Sequence, residues 1–321
     1  MKLPRLFIAL CAAWLAILPA HAQKDAWPSK AIKIVTPTPA GVGSDAFTRI
    51  YAEKLSRALN VPVVVENRPG ALGTLGTDAV AKAPADGYTI LFSTSNPFTV
   101  VPFLLSKLPY NPEKDLIPVT QIFRGGSFLV VGKDVPAKSL RDLVTMAKSS
   151  PGRITFASYG LGTTSHLGFE LFQDAAGVEM LHVPYKQGAI VDVVGGQVMV
   201  GWEPPVSALP HIRAGRVRAL AYTGNARSPA LPDIPTLAEV YPGLEVFTSV
   251  GVWVPSGTPP LIVQRLYSAI GTITKLPEVE RSIDEAGNEP TGPTPTETGA
   301  IIRHEAQTMG KLIKAKNIKL D

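Results

Sequence analysis

The chain has 321 residues, a formal net charge of +5, 45% hydrophobic residues and a single cysteine, Cys11. One cysteine excludes a disulfide framework and a cysteine-based zinc site. The charge balance is only mildly positive, no basic block exceeds Lys314-Ala315-Lys316, and no basic stretch is studded with aromatics, so nucleic-acid binding is not expected.

The first predicted element is a signal peptide over residues 1–22. Lys2 and Arg5 precede an apolar run from Leu6 to Leu18, and Ala20-His21-Ala22 forms an A-x-A-like end. The run is too short for a stable membrane span, and cleavage after Ala22 would leave Gln23 first. Cys11 lies inside this segment. Leu10 stands where a lipid anchor would need a small residue, so Cys11 reads as part of the apolar run. Without Lys2 and Arg5 the mature chain carries 29 basic and 26 acidic residues. A chain of this length with no cysteine must be held by packing alone, and it is expected to form two lobes.

Short β-branched runs alternate with helical stretches, which predicts an α/β fold with mainly parallel sheet. Strands are expected at 32–35, 61–66 and 88–93, with a helix after Ser44 or Asp45 that carries Phe47, Ile50, Tyr51, Leu55 and Leu59 at helical spacing, and a short helix at 78–83. A strand at 128–131 and a helix at 139–149 follow. A second series places strands at 154–157, 180–183, 198–202 and 218–222, with helices at 165–176 and 190–194. Residues 225–235 are proline-rich and read as a connector. A strand is expected over 244–254, then helices over 261–276, 278–285 and 297–315.

In open parallel sheets ligands bind beyond the carboxyl ends of strands. Three loops lie there. The first, Thr36 to Asp45, brings Thr38, Ala40, Gly41, Val42, Gly43 and Asp45 to the start of a helix, where glycine backbone and free N–H groups favour an anion. A tight turn with Asp45 as a simple cap is the plainer alternative. The same loop matches G-x-G-x-x-A, with Glu66 near the place of a ribose-binding acid, but Pro37 and Pro39 stiffen a turn that a dinucleotide site needs short and glycine-led. The second loop offers Ser93 and Ser95. The third offers Ser158, Gly160, Gly162, Thr163, Thr164 and Ser165. Hydroxyls and backbone amides can share a carboxylate without a full positive charge, although ordinary capping uses the same residues.

No G-x-S-x-G, Walker loop or H-E-x-x-H occurs, and His304-Glu305 lacks a second histidine four residues on. His166, His182, His211 and His304 are scattered and read as structural or surface groups. No catalytic residue, metal site or cofactor is predicted.

The chain resembles the Bug receptors, the periplasmic solute-binding components of tripartite tricarboxylate transporters. The likeness is carried by Trp27 to Val35, Pro39 to Asp45, Val65 to Ala71, Ala85 to Thr89, Ser165 to Leu167, His182 to Lys186, Gly196 to Val198 and Leu231 to Thr236. It implies a type II periplasmic-binding-protein fold, two α/β lobes joined by crossing strands with a ligand cleft between them, in the manner of a Venus flytrap. Residues 24–124 and 246–321 would form lobe 1, and 125–245 lobe 2. The first and third loops would then hold a carboxylate through amides, hydroxyls and water. The resemblance adds Tyr185, Gln187, Gly188 and Glu203 to the candidate ligand residues.

It also implies a periplasmic monomer that captures a small organic acid and docks on membrane transporter subunits. Departures from the family pattern are Gln187 in place of a glycine, a shortened stretch between Lys186 and Gly196, bulky Ile190 and Val191, and Arg124-Gly125-Gly126 at the crossing. Arg124 could face a second ligand carboxylate or simply be a solvated arginine. Glu203 could meet the ligand or cap a turn. Trp202 could stack on a ring, though a core position suits it better. A sensor for a signalling receptor and a secreted enzyme are the competing readings.

Overall fold

The structure is a computed structural model that describes residues 27–41, 44–185 and 188–320. The expected signal peptide lies outside the described residues. In chain order the elements are β1 (Ile32–Thr36), α1 (Asp45–Leu59), β2 (Val63–Asn67), α2 (Thr74–Ala81), β3 (Thr89–Thr94), α3 (Asn96–Thr99), α4 (Val101–Leu104), β4 (Leu116–Gly125), β5 (Phe128–Gly132) and α5 (Leu140–Ser149). They continue as β6 (Thr155–Ser158), α6 (Thr164–Ala176), β7 (Leu181–Pro184), α7 (Ile190–Val194), β8 (Val200–Glu203), α8 (Pro205–Arg213), β9 (Val217–Tyr222) and α9 (Leu237–Val240). The last are β10 (Thr248–Pro255), α10 (Pro260–Thr274), α11 (Pro277–Glu285), β11 (Asn288–Pro290) and α12 (Pro295–Ala315).

Two sheets result, ordered β11-β4-β10-β3-β1-β2 and β7-β6-β8-β5-β9. In the first, β1 pairs in parallel with β2 and β3, while β10 lies antiparallel between β3 and β4. In the second, β6 pairs in parallel with β7 and β8, while β5 lies antiparallel between β8 and β9. In each sheet the strand that follows a passage from the other sheet, β10 or β5, runs against its two neighbours, and the short β11 also pairs antiparallel with β4 at the edge of the first sheet. All five residues of β5 are buried, as expected of an apolar run flanked by strands on both sides in a covered sheet.

Each sheet has its own core. Ile34, Tyr51, Leu55, Phe92, Ile122, Val252 and Leu266 belong to the first. Leu129, Phe156, Phe169, Phe172, Val200 and Trp202 belong to the second, so Trp202 is a core residue, 3% exposed. A further cluster joins the lobes, with Val100, Leu104, Leu312 and Ile313 against Leu167 of α6.

The chain leaves the first sheet through Gly125-Gly126-Ser127 and returns through residues 223–247. The glycine pair has a steric reason. A β-carbon on Gly125 would collide with the Asn288 side chain, and one on Gly126 would lie 2.5 Å from the Tyr222 ring. The two passages are tied together: Gly126 N–H donates to the Tyr222 hydroxyl at 3.1 Å, and Ser127 N–H to Thr223 Oγ1 at 2.8 Å.

Several elements depart from the sequence expectation. The ten-residue β4 was not anticipated, because Pro118, Thr120, Gln121 and Arg124 break its apolar pattern. A register shift beside Pro118 accommodates the proline in the ladder. The run 244–254 is not one strand: its first residues form the return passage, and the strand begins at Thr248. Helix α2 starts at Thr74 and ends at Ala81, earlier than its spacing suggested. Among the described residues no helix is long and apolar enough to cross a membrane, and no group of histidines and acids could hold a metal ion.

Candidate ligand-binding cleft

The three polar loops follow the carboxyl ends of β1, β3 and β6. In the first loop, Asp45 opens α1 and is 1% exposed. Its Oδ1 accepts from the Asn67 amide at 2.7 Å, and its Oδ2 accepts from Gly41 N–H at 2.7 Å and Arg49 Nε at 2.9 Å. Burial pushes the carboxyl up, but these hydrogen bonds outweigh it and hold the group below its ordinary range. Asn67 also donates to the Thr38 carbonyl at 2.9 Å, and the Thr38 and Ser44 hydroxyls meet at 2.9 Å.

Asp45 is therefore the inner anchor of the loop and not a ligand contact, because both its oxygens are committed to protein donors. Thr38 is half-buried, while Ala40 and Gly41 are exposed at the loop tip, Gly41 with φ +77°. Val42 and Gly43 lie outside the described residues.

The third loop is held from within to an even greater degree. Ser158 Oγ lies 2.6 Å from His182 Nε2 and accepts from Gly160 N–H at 3.1 Å. Tyr159 N–H donates to Ser165 Oγ at 3.0 Å, Thr163 Oγ1 to the Gly160 carbonyl at 2.7 Å, and Gly162 N–H to His166 Nδ1 at 3.1 Å. Gly160 and Gly162 have φ of +118° and +75°, conformations that side chains rarely adopt. Thr163 caps α6 by accepting from His166 N–H.

With the hydroxyls so engaged, the groups free to meet an anion are the N–H groups of Thr164 and Ser165, which open a 13-residue helix and have no intrahelical acceptor. Below the loop, His166 and His182 stack at 4.2 Å, and His182 stacks on Phe156 at 4.9 Å. Burial, reinforced by His182, pulls His166 down to about 4, and burial lowers His182 as well. Both rings are neutral supports.

Glu203 sits beneath the floor of the cleft at 1% exposure. It accepts from the Tyr159 hydroxyl at 2.9 Å, the Ser207 hydroxyl at 2.9 Å and Ala189 N–H at 3.2 Å. Burial raises it despite these donors. The structure thus gives Glu203 neither of the roles considered from sequence. It fixes Tyr159 and the segment before α7. Gly188 serves the same packing, since a β-carbon there would lie 2.8 Å from the Tyr159 hydroxyl. Tyr185 is half-buried and donates its N–H to the Ser158 carbonyl at 3.0 Å. Burial, with Asp192 beside it, raises its hydroxyl. Gln187 lies outside the described residues.

Between the lobes is a cavity of about 290 Å³. Tyr159, Thr163, Thr164 and Ser165 line it from lobe 2, with Trp202 and Pro204 as its floor. Asn96, Ser127 and Val246 to Thr248 close it from α3 and the two passages. Its wall includes a bridge between lobes, Thr164 Oγ1 to Asn96 Oδ1 at 3.2 Å.

Of the sequence candidates, Thr163, Thr164 and Ser165 reach this cavity, while Thr38, Ala40 and Gly41 do not line it in this conformation. Ser93 is fully buried in β3 and lines neither this cavity nor the larger chamber beside it. Ser95 is 4% exposed and borders a second, larger chamber. Asn96, Ser127, Tyr159, Pro204, Val246, Phe247 and Thr248 were missed. Asn96 and Tyr159 stood next to candidates and Pro204 followed Glu203, so these could have been included; the others depend on knowing where the chain crosses between lobes.

The model of the tripartite tricarboxylate transporter family receptor matches residues 47–318. The chain belongs to this receptor family. It is 36% identical over 305 residues to Protein BugT of Bordetella pertussis, an alignment that covers 94% of each chain. Among solved structures, the receptor resembles Rpa4515 of R. palustris with adipate, at TM-score 0.79 and 32% identity, covering 92% of this chain and all of that one. It also resembles MatC of Rhodopseudomonas palustris with bound malate, at TM-score 0.75 and 27% identity, covering 89% of this chain and all of that one. The receptor therefore has the two-lobed periplasmic-binding-protein fold, and its family is one of solute-binding receptors.

Proposed function

We propose that this chain is a periplasmic receptor that captures a small organic carboxylate between its lobes and presents the closed form to a tripartite tricarboxylate-type transporter. The observation that carries this reading is the opening of α6. The loop before it spends its hydroxyls on itself, and the helix aims free N–H groups at a cavity whose described lining includes no charged side chain. Neutral donors and a helix dipole suit a carboxylate. The adipate and malate held by the two structural relatives support the same class.

In this reading residues 24–124 and 246–321 move as one lobe and 125–245 as the other, and the loop from Thr38 to Gly43 closes onto the ligand from lobe 1. Capture stabilises the closed state because contacts to both lobes exist only there. The receptor works as a monomer and without turnover. A thermal-shift screen of residues 23–321 against carboxylic acids tests this. A ligand at about 100 times its Kd adds about 2.7 kcal/mol, and the melting temperature rises by several degrees at most. Mass spectrometry should return the ligand unchanged. A converted product would replace the receptor reading with an enzyme, and no shift with any carboxylate would remove the ligand class.

A further inference from the structure

Behind the loop cavity lies a second chamber of about 640 Å³, between α3, the end of β4, the return passage and the inner face of α12. The two spaces share Asn96, Thr164, Val246 and Phe247 as a common wall, with the Asn96–Thr164 hydrogen bond in it. A cavity of about 290 Å³ lies at the small end of ligand sites, which span roughly 300–1,000 Å³; the chamber beside it is of ordinary ligand size.

The chamber contains two buried polar atoms with nothing to bond. Gln121 is 4% exposed and its Nε2 has no partner; Glu305 Oε1 is likewise buried and unpartnered. Such atoms are rare in a folded protein and call for an explanation. One is a donor and the other an acceptor, and the two residues that carry them line the same space.

The charges of the chamber narrow what could answer them. Glu245 and Glu305 face one cation, Arg124. Arg124 is already turned toward Glu289 at 3.4 Å and lies 5.6 Å from the Phe247 ring centroid. A second ligand carboxylate would satisfy Gln121 but confront Glu305 once that buried carboxyl is ionised, above about pH 7. An ammonium would satisfy Glu305 and leave Gln121 bare. A carboxamide answers both, its N–H₂ donating to Glu305 and its carbonyl accepting from Gln121.

We propose that the chamber receives the far end of the ligand, and that this end is a neutral amide rather than a second carboxylate. The ligand class is then a monocarboxylate with a distal carboxamide. The proposal rests on the carboxylate-receptor reading above, with the carboxylate held at α6.

Four acids of equal chain length test it: adipamate, adipate, 6-aminohexanoate and hexanoate, titrated against the mature protein by calorimetry at about pH 8, where Glu305 is ionised. Adipamate should bind at least about tenfold tighter than adipate. Glu305→Gln should bring the two toward parity, because a glutamine can donate to a carboxylate. If adipate binds as well as adipamate, or if Glu305→Gln leaves the ratio unchanged, the proposal is wrong. If none of the four binds while shorter acids such as malate do, the chamber is not used and the proposal is also wrong. If no carboxylate of any kind binds, the receptor reading itself fails first. The ranking in the unsubstituted protein decides even if the variant does not fold.

Discussion

Gly162 N–H donates to Nδ1 of His166 at 3.1 Å, which fixes the imidazole proton on Nε2 and makes the ring's neutrality a condition of the loop's shape. Protonation would place a donor against a donor. Burial and the stacked His182 hold His166 at about 4 in the fold, against 6.5 for a free histidine. The unfolded chain therefore takes up the proton first. Stability from this site is fully present above pH 6.5 and is lost as the pH falls toward 4, by about 3 kcal/mol in all. Denaturation midpoints measured from pH 7 to pH 4 should fall across that window. His166→Gln should flatten the fall while lowering the midpoint at pH 7.

The Tyr159–Glu203 pair predicts a graded loss. Glu203→Ala leaves two hydroxyls and the Ala189 N–H without their acceptor, in a place water reaches poorly. It should cost about 3 kcal/mol. Tyr159→Phe removes one of three donors and should cost about 1–2 kcal/mol. Both should weaken ligand binding, because Tyr159 borders the cavity. Urea unfolding together with ligand titration would check the order; equal losses would mean that the hydroxyl alone carries the site.

Glu305 should have the opposite pH signature to His166. Burial pushes its carboxyl up to about 7, against a hydrogen bond from Ser95 and the charge of Arg124. The folded state therefore binds the proton more tightly than the unfolded chain, and stability falls as the pH rises from about 4.5 to 7. Glu305→Gln should be close to neutral at pH 4 and stabilising by up to about 3 kcal/mol at pH 8. Melting curves of the two proteins without ligand at both pH values measure this directly.

The contact between lobes predicts that packing outweighs charge. Leu167 is fully buried among Leu104, Leu312 and Ile313, and Leu167→Ala should cost about 2–5 kcal/mol. Lys316 bridges to Asp174 at 2.5 Å and to Glu170 at 3.2 Å, yet its side chain is 30% exposed and Asp174 is 52% exposed. Lys316→Ala should cost no more than about 1 kcal/mol, and the cost should shrink in high salt. Chemical denaturation at low and high ionic strength separates the two cases.

Much of this organisation can be read from the residues. The βα alternation is local, so β1, α1, β6 and α6 follow from short apolar runs and polar loop ends. Strand β4 does not, because its apolar face is made complete only by β10 and β11, which arrive more than a hundred residues later. The polar loops were found by composition, but composition does not say which way a side chain turns. Asp45 and Glu203 stand beside the cleft in sequence and point away from it, because each finds three donors inside its own lobe. The chamber was invisible for a different reason. Gln121, Arg124 and Glu305 meet only through the packing of α12 against the end of β4, and nothing in their spacing along the chain announces it.

The position of β10 has a consequence for how the molecule is made. It lies in the middle of its sheet, yet its residues are among the later ones synthesised. A nascent chain ending at residue 247 carries every strand of the second sheet but holds the first in two unjoined pieces, β2-β1-β3 on one side and β4 on the other. The strands of the second sheet lie on one continuous stretch, whereas the first sheet must wait until residues 248–255 are inserted between partners that lie far earlier in the chain. Non-local pairing of this kind is slow. We expect the lobe built from one continuous stretch to mature first and the lobe that needs β10 to close last.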